Sequence, residues 1–89
     1  MTLETALELI PADKREHIIQ EARKIGVGEF TLSQVYVGWA GLGKKPKADH
    51  GKAFRLLVDG KWVAEILVQR LPDDKIKLNA RNHVLYRLG

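Results

Sequence analysis

Five cations fall within "GKKPKADHGKAFR", residues 43–55: Lys44, Lys45, Lys47, Lys52 and Arg55, with His50 among them and Asp49 as the only acid. The stretch opens as a loop and runs into a helix. A helix start carries unpaired N–H groups and the positive end of the backbone dipole, so cations gathered there call for an anion, phosphate above all. The alternative is a solvated basic surface that Asp49 tempers. A second basic set, Arg70, Lys75, Lys77 and Arg81, surrounds the turn "LPDDKI" near the C-terminus. There the alternative is that Asp73 and Asp74 neutralise the tip, while lysines guard an edge strand.

Other chemistries find little support. His17, His50 and His83 stand 33 residues apart at each interval, without the close pairing of metal ligands, so no metal is expected. With no cysteine, disulfides and thiolate zinc sites are excluded. Ser33 is the only serine and has no nucleophile-elbow context. "GVGEF" and "GLGKK" miss the nucleotide-loop patterns. Neither an enzyme nor a cofactor is expected. The six aromatics sit mostly on apolar stripes, which predicts core packing over a base-stacking platform.

The elements that must position these charges are legible in outline. The 89 residues suit one domain, 45% apolar and 29% charged. The N-terminal stretch has no signal-peptide pattern and no apolar run is long enough for a bilayer, so a soluble cytoplasmic protein is expected. Residues 1–30 carry six acids against four bases; the rest carries five acids against eleven bases. The net charge of +4 is therefore polarised along the chain.

"LETALELI", residues 3–10, predicts a short helical extension. "PADKREHIIQEARKIG" predicts a helix with Pro11 at its start, Ile18, Ala22 and Ile25 on one face, and Gly26 as its stop. Phe30 and Thr31 form a very short strand. Thr31 and Gln34 have capping-box spacing, and Leu32, Val35, Tyr36, Trp39 and Ala40 continue as a helical stripe. After the loop 41–48, a helix runs from Asp49, its N-cap, to Val58. His50, Ala53, Phe54, Leu57 and Val58 share its apolar face; Lys52, Arg55 and Leu56 point outward. From Trp62 the period changes to two. A strand led by Trp62 pairs with Ile76–Leu88 around one turn. That register sets Leu67 against Ala80, Val63 against Val84, Trp62 against Leu85, Arg70 against Lys77 and Ile66 against Arg81, unless "NARN" at 79–82 bulges.

The expected fold is α+β, one domain over 1–89. Its element order, with "GEFTLSQVYVGWAGLG", "ADHGKAFRLLVDGKW" and the terminal hairpin, resembles small winged helix-turn-helix proteins from about residue 12 onward. The resemblance implies three helices and a β-hairpin wing in a non-enzymatic nucleic-acid-binding protein, a small regulator with duplex DNA as its target. Lys52 and Arg55 would face the major groove. Lys44, Lys45 and Lys47 would hold phosphates ahead of that helix, and Arg70, Lys75, Lys77 and Arg81 would hold them at the wing. The competing expectation is a protein-binding adaptor or inhibitor on the same fold, favoured by the long 41–47 loop, outward Leu56 and modest net charge. Leu3, Leu7 and Ile10 offer either a homodimer contact or a face packed within the chain.

Overall fold

The computed structural model describes residues 1–89 and shows a small α+β fold of four helices and a two-stranded antiparallel sheet. Helix α1 (Leu3–Leu9) begins where the Thr2 hydroxyl accepts the Thr5 N–H at 3.2 Å. It buries Ala6 against α4, and Ile10 just beyond it is fully buried. Leu3 stays exposed at 41%. Pro11, extended, ends this segment and caps α2 (Ala12–Ile25). Asp13 in the first turn of α2, with Arg23 and Lys24 in its last, complements the helix dipole. Gly26 at φ +81° stops it, as its sequence predicts.

Phe30 then bridges to Tyr86 through reciprocal backbone bonds of 2.9 and 2.8 Å, the predicted short strand. The predicted capping box also forms: Thr31 N–H donates to Gln34 Oε1 at 2.8 Å. The long helix expected after it does not. Helix α3 is a single turn (Leu32–Val35), and Gly38 in the left-handed region breaks the path before a 3-10 turn at Trp39–Gly41. Leu32, Val35 and Tyr36 are core, while Trp39 is half-buried.

Helix α4 (Lys44–Asp59) starts five residues earlier than the expected Asp49. Gly43 is its N-cap, and the first bond runs from Lys47 N–H to the Gly43 carbonyl at 3.0 Å. Pro46 marks a loop in the sequence, yet it sits in the first helical turn, where its missing N–H goes unmissed. Lys44, Lys45 and Lys47 are thus helical rather than in a loop. The His50 Nδ1–H donates to the Pro46 carbonyl at 2.7 Å and fastens this turn to the core. The predicted apolar face, His50, Ala53, Phe54, Leu57 and Val58, is buried. Leu56, expected outward, packs partly buried against the core.

After Lys61, which takes φ +64°, Trp62 lies in a bend and is 47% exposed, so it leads no strand and joins no core. The predicted alternation fails because Val63 and Ile66 are the buried residues, three apart, joined by an Ile66 N–H to Val63 carbonyl turn bond of 3.0 Å. Strand β1 (Ile66–Val68) pairs with β2 (Tyr86–Leu88): Ile66 faces Leu88, Leu67 faces Arg87 and Val68 faces Tyr86. The single-turn register is overturned. Neither Leu67–Ala80, Val63–Val84 nor Trp62–Leu85 is a pair. Arg70 bridges Ile76 rather than Lys77, and Ile66 does not face Arg81.

The reason is a second turn at the "NARN" stretch. Asp74 N–H donates to the Leu71 carbonyl at 2.8 Å and Leu71 N–H to the Lys75 carbonyl at 2.7 Å, with Asp74 at φ +67°. The same pattern recurs at 79–83: Asn82 N–H to Asn79 carbonyl at 3.0 Å, Asn79 N–H to His83 carbonyl at 2.9 Å, and Asn82 at φ +62°. Each is a three-residue loop closed by a left-handed residue, a position that Asp and Asn tolerate. The three segments meet in a ring of backbone bonds: Gln69 N–H to Leu85 carbonyl (2.9 Å), Leu85 N–H to Lys77 carbonyl (3.1 Å), and Lys77 N–H to Gln69 carbonyl (3.0 Å).

The core closes around Phe54, Tyr86 and Phe30. Phe54 meets Tyr86 edge-on at 4.7 Å, and Phe30 lies 6.3 Å from Tyr86. Large buried aromatics of this kind dominate the stability of a small domain. No helix is long and apolar enough to cross a membrane.

Candidate nucleic-acid interface

The nine cations singled out in the sequence fall into two groups. Arg55 pairs with Asp59 (2.9 Å), Arg70 with Asp74 (3.8 Å), Lys75 with Asp73 (3.9 Å) and Lys77 with Glu29 (2.9 Å). Lys44, Lys45, Lys47, Lys52 and Arg81 pair with no acid. Arg70 and Lys77, expected to hold phosphate at the wing, each sit beside a carboxylate of the protein itself, Asp74 and Glu29. Glu29 receives Lys77 Nζ and also the Gln69 amide at 3.1 Å. The Lys77 bond and, after it, the Gln69 bond hold the Glu29 carboxyl below its ordinary range, against a burial effect in the other direction.

Of the five free cations, Lys47 on α4 and Arg81 on the second hairpin turn line one groove, while Lys44, Lys45 and Lys52 lie on α4 outside its lining. On α4, residues 44, 47, 48, 51, 52 and 55 follow the i, i+3, i+4 spacing of one helical stripe. They read Lys, Lys, Ala, Gly, Lys, Arg. Asp49 lies off that stripe. The first turn of α4 has no acid and Gly43 offers no side-chain cap, whereas α1 has Glu4 and α2 has Asp13 there. A cation in a helix's first turn is unfavourable by about 0.3–1 kcal/mol. Three of them in one turn leave a local charge excess that nothing inside the fold relieves.

A groove of about 650 Å³ separates the stripe from the hairpin. Lys47, Ala48 and Gly51 of α4 line it, with Arg81, Asn82 and His83 of the second hairpin turn and with Ser33 and Trp39. No carboxylate lines it. Tyr86 lies along it although only 2% of the residue is exposed. Its hydroxyl makes no hydrogen bond within the protein. Since no fully enclosed side-chain oxygen or nitrogen is left without a partner, that hydroxyl keeps some access to solvent. Burial pushes the Tyr86 phenol up, Arg55 opposing and Asp59 adding, so it stays a neutral donor.

Sequence reasoning missed Trp39, Gly51, His83 and Tyr86 as groove residues. One signal was available: Gly51 interrupts a helical pattern in which alanine is favoured by about 1 kcal/mol. A Cβ there meets no protein atom within 4 Å, so packing does not require the glycine. No three His, Asp or Glu side chains gather into a group that could hold a metal ion. No protein family, curated protein or solved structure matches the chain.

Proposed function

We propose that this protein is a non-enzymatic nucleic-acid-binding module of winged-helix type, with duplex DNA as its target and α4 as the helix that enters the groove. The observation that carries the reading is the α4 stripe: the unpaired Lys44, Lys47 and Lys52 alternate with Ala48 and Gly51, and Arg55, paired with Asp59, continues it. Long cations reach phosphates on either side, and the two small residues let a polyanion's backbone approach the helix. Arg81, on the second hairpin turn, supplies a contact from the far wall, the role of a wing. Arg55, Arg70, Lys75 and Lys77 are secondary, because each already has an acid beside it.

Titration of random-sequence duplex across a salt series tests this. Log affinity falls linearly with log salt, by about 0.9 for each phosphate neutralised, and three or four free cations give a slope near 3. Absence of duplex binding at low salt overturns the reading and promotes a protein-binding role for the same fold.

A further inference from the structure

We infer that the groove between α4 and the second hairpin turn receives one nucleotide unit, its phosphate between Lys47 and Arg81 and its base against Trp39. This rests on the nucleic-acid reading but asks more of the site. A basic surface alone needs no cavity, and this one has about 650 Å³ of open space, within the size range of small-ligand sites.

Four features of the lining fit a nucleotide together. Lys47 and Arg81 approach from opposite walls and neither has an acid partner. Tyr86, almost wholly buried, lines the groove, and its hydroxyl is unspent by the protein and not fully enclosed. Trp39 is half-buried and backed by Tyr36, edge-on at 6.0 Å, so its ring is held in place. Gly51 leaves room where the helix would gain from a side chain. Cations alone would suit an acidic peptide equally well. A fixed indole beside them suits a flat π-system that carries its own phosphate.

The test uses a Trp62→Phe protein, in which Trp39 is the only tryptophan, and follows its emission. Four probes are compared: a paired duplex, the same duplex with one unpaired adenine, free adenosine monophosphate, and inorganic phosphate. The unpaired adenine binds about tenfold tighter than the paired duplex, as one stacked base does, and quenches Trp39. Gly51→Leu projects into the groove from a position where a Cβ meets no protein atom and brings that ratio to about one. Unchanged folding of Gly51→Leu is checked by its melting temperature.

Equal binding of both duplexes with unchanged Trp39 emission overturns the inference and leaves the nucleic-acid reading standing. Quenching by adenosine monophosphate without any duplex binding keeps the nucleotide site and overturns the nucleic-acid reading. Binding of inorganic phosphate as tight as that of the nucleotide overturns the inference, because the base then contributes nothing. Failure of every probe overturns both.

Discussion

Lys77 Nζ lies 2.9 Å from a Glu29 carboxylate oxygen, 48 positions earlier in the chain. The pair ties the middle segment of the hairpin meander to the loop before α3. It also removes one cation from the pool available to a ligand.

That tie makes stability depend on pH. The Glu29 carboxyl is held below its ordinary value of 4.5 by Lys77 first and Gln69 second. A depressed folded-state value means that the stabilisation is present above the unfolded value and is lost as pH falls through the folded one. Melting temperatures measured from pH 7 down to pH 3 therefore fall below about pH 4.5. Glu29→Gln shows a shallower fall. Glu21, lowered by Lys24 and then His17, keeps part of the dependence in that variant.

The division of cations predicts different salt slopes. Lys47→Ala flattens the plot of log affinity against log salt by about 0.9, one released counterion. Lys77→Ala flattens it much less, because Glu29 already neutralises Lys77. Equal flattening by both variants would count against the α4 stripe as the phosphate-contacting face.

Gly51→Ala stabilises the protein by about 1 kcal/mol, the ordinary helix-interior difference. For a domain of this size that raises the melting temperature by about 4–8 °C. The same variant weakens nucleic-acid binding. A calorimetric scan and a binding titration on one preparation separate the two effects.

Two large aromatics, Phe54 and Trp62, differ in what their removal costs. Phe54→Ala removes a fully buried ring that packs on Tyr86 at 4.7 Å and costs about 3–5 kcal/mol. Trp62→Ala removes a half-exposed ring whose main partner is the Arg15 guanidinium, 5.8 Å from its centroid, and costs about 1 kcal/mol or less. Urea unfolding of both variants checks the contrast.

Local signals in the sequence carried α1, α2, the capping box at Thr31 and the apolar face of α4, because each depends on residues within a turn or two. Three features were not legible for a shared reason. Gly38 could continue a helix or break it, and only its left-handed backbone decides. "NARN" makes a tight turn without glycine, since Asn82 supplies the positive φ itself. "WVAEILV" alternates well enough for a strand, yet the chain turns within it and buries Val63 and Ile66. The groove escaped notice because its walls lie far apart in sequence. Lys47 and Arg81 come together only through the register that the second turn creates.

The ring of bonds among Gln69, Lys77 and Leu85 separates what must be constant from what is free to vary. Register is fixed at the ring, and each turn beyond it closes on its own bonds, Leu71 to Lys75 and Asn79 to His83. With Asn82 kept for its left-handed backbone, the tip residues 80 and 81 therefore form a replaceable cassette on a hydrogen-bonded frame. Exchanging Arg81 recuts one side of the groove while the ring keeps its alignment, so the chemistry of the groove can change without a change of register.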